Sequence, residues 1–196
     1  MVAVGSGLNP MVKDIISLIG TSVTIIGGFV AATIAIYNLI LNRKIREKEL
    51  RFKQAQMGKQ IIEEMFDDEA AGNALLMIDF ERRSFDVGSR KKLMITQNDV
   101  VRSLDPEMQD EDRRSIFIRE CFDGLFYYLD RFEHFIKIGL TTFEDVAVPL
   151  QYYATIMSKQ KSVYMNYITL TQFERALIFL NRFSAWKNVK IKESHQ

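Results

Sequence analysis

The sequence predicts an all-α protein in which one N-terminal transmembrane helix is followed by a cytoplasmic helical bundle. Three observations favour this fold class. The run from Ile15 to Asn42 contains no charged residue, a strongly basic stretch follows it, and the remaining chain repeats apolar residues at helical spacing. A helix of about 20 mostly apolar residues is long enough to cross the hydrocarbon core of a bilayer.

The chain of 196 residues divides into five predicted segments. They are a short extracytoplasmic N-terminus at 1–14, a transmembrane helix at 15–42, a basic juxtamembrane helix at 43–66, a cytoplasmic helical bundle at 67–186 and a basic tail at 187–196. Asn9 and Pro10 are a typical helix start, with asparagine as the cap and proline at the first helical position.

The apolar run differs from a cleavable signal peptide. A signal peptide has an apolar stretch of about 7–15 residues after a basic segment, whereas here the run is longer and its basic flank lies on the C-terminal side. Because the Lys/Arg-rich flank of a span stays in the cytoplasm, the N-terminus is expected outside and the domain inside. The expected location is the bacterial inner membrane, with a single crossing.

Small residues recur every fourth position in the predicted span, in two adjacent rows. Small residues four apart let two helices approach closely in lipid, so the rows predict self-association, although glycine and alanine are common in spans anyway. The predicted packing residues are Gly20, Gly27, Gly28, Ala31, Ala32 and Ala35.

A basic cluster follows the run and is offset only by Glu47 and Glu49. Each basic residue near an anionic lipid surface contributes about 1 kcal/mol of attraction. The cluster is interpreted as a topology signal with generic attraction to membrane lipid rather than as a specific lipid site. Its residues are Arg43, Lys44, Arg46, Lys48, Arg51 and Lys53.

The first half of the bundle is expected to contain three helices. Acidic residues suit a first helical turn, which favours a helix from about Glu69 to Arg83. A polar loop at 84–92 contains Gly88, and a short helix at 96–104 is expected to be capped by Thr96 with Asp99. A long amphipathic helix with a wide aromatic face is predicted at about 110–138.

The second half of the bundle is expected to begin with Gly139, which ends the long helix. Thr142 and Asp145 have capping-box spacing for the next helix, Pro149 is expected to kink or restart it, and Thr171-x-x-Glu174 is expected to open a last helix. The short turn at Gly139 predicts that 116–138 and 143–157 pack as an antiparallel hairpin, with Phe132 buried. No alternating strand pattern is recognisable in the sequence.

No catalytic, cofactor-binding or metal-binding residue is assigned. Cys121 is the only cysteine and is interpreted as a buried core thiol, and His134 has no partner at a spacing typical of a site. The net charge of +1 does not favour a nucleic-acid partner. Most aromatic residues of the bundle are expected in the core, and any surplus at the surface is expected to bind a protein partner.

The segment LDRFEHFIKIGLTTFEDVAVPLQYYATIM, with Asp67–Glu69 and Leu75–Arg83 upstream, resembles an uncharacterised family of bacterial single-pass, membrane-anchored helical proteins, a domain of unknown function. The resemblance implies the same architecture and carries no activity or catalytic residue. Some small membrane-anchored proteins of this general form accompany bacterial antiphage systems, which is an analogy of architecture alone.

The sequence favours a non-enzymatic role. The first hypothesis is a bitopic inner-membrane protein whose cytoplasmic bundle binds an unknown protein partner as an interaction or regulatory module. The alternative is a membrane-damaging effector of an antiphage, abortive-infection system, in which oligomerised spans disrupt the membrane. An enzyme of unknown type is the least favoured reading.

The charge asymmetry across Ile15–Asn42 predicts the topology of the chain. A reporter fused after Gln196 should be active in the cytoplasm, because the basic flank is retained there. Activity of an alkaline-phosphatase fusion at the same position would contradict this orientation.

The two small-residue rows predict association of the span with a second copy. Replacing Gly28 and Ala32 with leucine should weaken crosslinking between copies in membranes, since added bulk separates the helices. An unchanged crosslinking pattern would mean that the rows are incidental.

Overall fold

The computed structural model of the chain describes residues 10–87, 92–108, 111–159 and 162–193. Within helices, the backbone but not the side chain is described at 10, 12–13, 15–32 and 191–193. The described residues are mostly helical, with eight α-helices and one small two-stranded sheet. In chain order the elements are α1 (Pro10–Asp67), α2 (Glu69–Asp79), β1 (Arg82–Asp86), β2 (Lys92–Thr96), α3 (Gln97–Leu104), α4 (Arg113–Lys137), α5 (Phe143–Ala147), α6 (Gln151–Met157), α7 (Val163–Leu170) and α8 (Glu174–Glu193), with a short 3₁₀ turn at Pro106–Met108.

The chain separates into two compact units, Met1–Leu50 and Arg51–Gln196. The division lies within α1 and inside the juxtamembrane segment that the sequence predicts at 43–66. The predicted first helical position, Pro10, is where α1 begins. α8 extends to Glu193, beyond the point where the sequence predicts a tail.

Most of the predicted transmembrane helix, residues 15–32, lies in the part of α1 for which the structure describes the backbone but not the side chains. Within the residues that the structure does describe, no helix combines the length and the apolar character needed to cross a membrane. The span at 15–42 stays a prediction from the sequence.

Helix α4 lies at the centre of the second unit and makes its most extensive contacts with α2 and α8. Its apolar side chains recur at three- and four-residue steps, so they form one buried face. The most deeply buried of them are Ile118, Phe122, Leu125, Phe126, Leu129 and Phe132, each at most 1% exposed. The predicted long amphipathic helix and the burial of Phe132 are therefore confirmed.

The close crossing of α2 and α4 depends on Gly124. A Cβ atom at this position would lie 2.9 Å from the Cβ atom of Ala70 and 3.4 Å from the backbone nitrogen of Ala71. Since the nearest atoms belong to a short side chain and to backbone, they cannot rotate away. Gly124 thus allows the two helices to approach more closely than any larger residue would.

Several helix ends follow the sequence signals. Asp68 caps α2 by accepting a hydrogen bond from the Ala71 amide, and capping boxes form between Thr96 and Asp99 and between Thr142 and Asp145. Gly139 has φ +77°, and the amides of Gly139 and Leu140 donate to the carbonyls of Ile136 and Phe135. This is a Schellman ending of α4, as the glycine predicts.

The prediction of an entirely helical fold is wrong in one segment. α2 ends at Asp79 rather than at Arg83, and β1 pairs antiparallel with β2, with Arg83 opposite Ile95 and Phe85 opposite Leu93. The predicted polar loop at 84–92 thus lies partly in strands. Among the strand residues only Phe85 and Ile95 are buried. One buried residue in each strand does not give an alternating apolar and polar pattern that can be recognised in the sequence.

The arrangement after α4 also differs from the predicted hairpin. α5 is a short helix that ends at Ala147, Pro149 lies between α5 and α6, and α4 packs mainly against α2 and α8. The ring of Phe132 contacts Phe179 of α8, with centroids 6.0 Å apart. The short turn at Gly139 brings α5 beside α4, but α4 makes far more extensive contact with α8 than with α5.

The start of α8 was also predicted incorrectly. Thr171 is the C-cap of α7, and its hydroxyl donates to the Tyr167 carbonyl. α8 begins at Glu174, and the Arg175 amide donates to the carboxylate of Asp130 on α4, at 3.0 Å. A residue distant in the sequence therefore supplies this capping contact, which local spacing cannot reveal.

The last part of α1 belongs to the core of the second unit. Ile61, Ile62 and Met65 are buried. Nearer the start of this unit, the Gln54 side chain donates to the Gly139 carbonyl at 3.0 Å, and Arg51 pairs with Asp145 at 3.3 Å. The end of α1 is consequently part of the bundle rather than a linker to it.

The burial of Phe132 predicts a large loss of stability on truncation. In a fragment of residues 51–196, Phe132→Ala should lower the free energy of unfolding by about 3–5 kcal/mol, because it leaves a cavity between α4 and α8. Urea unfolding followed by far-UV circular dichroism measures the change.

The matched control is Tyr127→Ala on the same helix, where the side chain is 56% exposed. It should cost less than about 1 kcal/mol, as for other surface substitutions. Equal losses for the two variants would contradict the assignment of Phe132 to the core.

Candidate interaction surface

The exposed side of α4 carries a cluster of aromatic rings around one arginine. The Arg131 guanidinium lies over the rings of Tyr127, Tyr128 and Phe135, at 5.8, 5.2 and 5.7 Å from their centroids. These residues are three or four positions from Arg131, so they project from one side of the helix. We call Arg131, Tyr127, Tyr128, Phe135 and their ionic partner Glu64 the arginine–tyrosine cluster.

An ion pair fixes the arginine of this cluster. The Arg131 Nη2 atom lies 3.3 Å from a carboxylate oxygen of Glu64 in the last part of α1. The Arg131 side chain is 29% exposed and that of Glu64 is 42% exposed. An ion pair exposed to this extent adds little stability by itself, but together with three ring contacts it restricts the orientation of the guanidinium.

The two tyrosines of the cluster differ in environment. Tyr127 is 56% exposed, whereas Tyr128 is partly buried. Burial, with a smaller contribution from the nearby Asp68 carboxylate, raises the pKa of the Tyr128 hydroxyl. The phenol therefore stays neutral at physiological pH and is able both to donate and to accept a hydrogen bond.

A second group of aromatic residues lies on another side of the last turn of α1. The rings of Phe66 and Tyr153 are 6.3 Å apart, and those of Tyr152 and Tyr153 are 5.1 Å apart. The Tyr153 hydroxyl donates to Asp79 at 2.9 Å, and burial followed by this carboxylate raises its pKa to about 12. Tyr152 is as exposed as Tyr127, at 56%.

The side chains of the arginine–tyrosine cluster are of types that are common at protein interfaces. Tyrosine and arginine are enriched among the residues that dominate binding energy at protein interfaces. They combine a large apolar or planar surface with hydrogen-bonding groups, and rigid rings lose little conformational entropy on binding. Arg131 presents planar donors that suit a carboxylate or backbone carbonyl of a partner.

Of the residues considered for chemistry in the sequence, Cys121 is buried in the core and His134 lies beside Phe135 of the cluster. Cys121 is 2% exposed, and burial, with smaller contributions from nearby carboxylates, raises the pKa of its thiol to about 12, so it is a protonated core thiol as predicted. His134 is partly buried beside Phe135. Among the described residues, no group of three or more His, Cys, Asp or Glu side chains is placed to hold a metal ion.

The predicted packing residues all lie in α1. The side chains of Gly20, Gly27, Gly28, Ala31 and Ala32 fall outside the described residues, and Ala35 is exposed. The role of these rows in self-association stays a prediction.

The predicted basic cluster is divided between the two units. Arg43, Lys44, Arg46 and Lys48 are exposed in the first unit, and Arg51 and Lys53 are exposed in the second. Of these, Arg51 contacts another helix of the second unit, because its guanidinium lies 3.3 Å from the Asp145 carboxylate on α5. That contact joins residues 94 positions apart and has no local signal in the sequence.

The sequence does not single out Arg131, and it offers Glu64 only as one of the acidic residues near a helix end, not as the partner of an arginine. A signal was present in the spacing, since Tyr127, Tyr128 and Phe135 are three or four residues from Arg131. The sequence predicts that most aromatic residues of this stretch lie in the core, and it does not indicate which of them remain at the surface. Comparison of the chain with protein-family models, with curated proteins and with solved structures finds no match.

Proposed function

We propose that the chain is a bitopic membrane protein whose helical domain binds a protein partner through the arginine–tyrosine cluster. The proposed role is non-enzymatic, that of an interaction or regulatory module. The observation that carries the proposal is the exposed Tyr127 ring beside an Arg131 guanidinium that three rings and Glu64 hold in place.

The geometry supports recognition of a protein because the surface is ordered before a partner arrives. Binding costs free energy when flexible side chains must be immobilised, at about 0.5–1.5 kcal/mol for each. Arg131 already has a defined orientation, and Tyr127 has few rotatable bonds. A partner side chain that stacks on Tyr127 and accepts from Arg131 would therefore meet groups that are close to their bound arrangement.

Support for the membrane location comes from the sequence. The uncharged run at 15–42 is long enough to cross a bilayer, and the basic residues that follow favour a cytoplasmic domain. The resemblance to bacterial membrane-anchored helical proteins supports the same architecture. Association of two spans would place two copies of the interaction surface on one complex, which raises avidity for a partner with two sites.

Site-specific photocrosslinking in cells expressing the full chain tests this proposal. A photoreactive phenylalanine analogue at Tyr127 should capture one defined protein, identified by mass spectrometry. The matched control carries the analogue at Tyr152, which is also a tyrosine and is equally exposed at 56%. We expect the adduct at position 127 and not at position 152.

A second variant links the adduct to the chemistry of the cluster. Arg131→Ala in the crosslinker background should reduce the adduct by roughly tenfold or more, as for a residue that dominates binding. Its melting temperature should change little, because the ion pair with Glu64 is partly exposed. Adducts that are equal at positions 127 and 152, or that persist in Arg131→Ala, would contradict the proposed surface.

A further inference from the structure

A polar cleft separates the end of α6 from the second half of α8. Its volume is about 350 Å³. Three of its residues follow the helical spacing of α8 and three lie at the end of α6 or just beyond it, so both elements contribute. We call it the lysine–hydroxyl cleft, and it is lined by Thr155, Ser158, Lys159, Ser184, Lys187 and Asn188.

Each of the six described lining side chains is able to donate a hydrogen bond, and none of these six is a carboxylate. The two lysines supply positive charge, the serines and Thr155 supply hydroxyl groups, and Asn188 supplies an amide. A cleft that selected a cation would need oxygen ligands with negative charge. The composition of the lining therefore favours an anionic ligand.

Lys187 supplies positive charge to the cleft, and no carboxylate among the described side chains forms an ion pair with it. Its side chain is partly buried, and the ammonium donates to the Thr155 hydroxyl at 3.2 Å. The ion pairs of the described residues involve neither Lys187 nor Lys159. A partly desolvated ammonium that lacks a counter-charge favours an anion at close range.

The C-terminal end of α6 repels an anion less strongly than a helix end whose last carbonyls have no hydrogen-bond partner. Helix C-termini carry partial negative charge on carbonyls that have no partner within the helix. Here the Ser162 hydroxyl donates to the Met157 carbonyl at 2.6 Å, and the Ser158 amide donates to the Ala154 carbonyl at 2.9 Å. These two carbonyls are thus already paired.

We propose that the lysine–hydroxyl cleft binds a phosphate group. A phosphate presents several oxygens that accept hydrogen bonds from ammonium and hydroxyl groups at once. Clefts for small ligands are usually about 300–1,000 Å³, so this cleft admits a phosphate with a small organic substituent. Both a soluble phosphorylated compound and the headgroup of an anionic lipid present that chemistry. The site shares no residue with the arginine–tyrosine cluster and does not depend on its function.

The test uses the full chain, purified in a non-ionic detergent that contains no phosphate. Trp186 is the only tryptophan of the chain and directly precedes Lys187 on α8, so its fluorescence is recorded together with the melting temperature. Titration with inorganic phosphate or glycerol phosphate represents the soluble source, and a short-chain phosphatidic acid represents the lipid source. We expect a saturable fluorescence change and a rise in melting temperature with at least one of these probes.

Variants distinguish the cleft from a general effect of positive charge. Lys187→Gln should weaken the binding of the responding probe by roughly tenfold or more, because a charge-assisted hydrogen bond is lost. The matched control is Lys190→Gln, which removes the same charge from the same helix at a residue outside the described lining of the cleft, and it should change the affinity less than about twofold. Because the Lys190 ammonium lies 6.0 Å from the centroid of the Trp186 ring, the affinities of both variants are read from the rise in melting temperature rather than from fluorescence. If Lys187→Gln does not fold, Ser184→Ala removes one donor without changing charge and should weaken binding severalfold.

The outcomes distinguish a lipid headgroup from a soluble phosphorylated ligand, and they show when the proposal fails. Tighter binding of the phosphatidic acid than of the soluble phosphates identifies a lipid headgroup, and the reverse order identifies a soluble ligand. Sodium chloride at the same ionic strength should give no saturable change. The proposal is overturned if chloride reproduces the response, if no probe binds, or if Lys187→Gln and Lys190→Gln weaken binding equally.

Discussion

The burial of one face of α4 is the constraint on which the rest of the second unit depends. Six of its apolar side chains are at most 1% exposed, and α2 and α8 supply most of their cover. Gly124 permits the close approach of α2, and the ring of Phe179 covers Phe132. Because a helix that buries one face must present another to solvent, the same packing leaves Tyr127 exposed and Arg131 partly so.

Helix α1 contributes to both units of the chain. Its first part contains the residues predicted to span the membrane, and its last part places Ile61, Ile62 and Met65 in the core. Glu64 lies between these core residues and pairs with Arg131. The arginine–tyrosine cluster is thus assembled from α4 and from the helix that carries the predicted span, so loss of α1 would remove part of this surface as well.

Local signals in the sequence predicted the helix ends well and the strand pair poorly. The caps at Thr96, Thr142 and Gly139 depend on residues within five positions of one another, and all three are present. β1 and β2 each bury a single large side chain, so their pattern resembles a polar loop. The capping contact of α8 comes from Asp130, which is 45 positions from Arg175 in the sequence. The partner of Arg51 is Asp145, which is 94 positions away.

The sequence by itself determined the helical class, the position of the central amphipathic helix and the uncharged run that predicts a membrane span, because each is a property of periodicity or composition along one segment. The tertiary structure alone decided which aromatic residues remain at the surface, that Phe179 of α8 packs on Phe132, and that two lysines and three hydroxyl groups line one cleft. These features depend on which helices pack together. An apolar stripe indicates that a face will be buried, but many partners could bury it, and only the packed chain shows which one does.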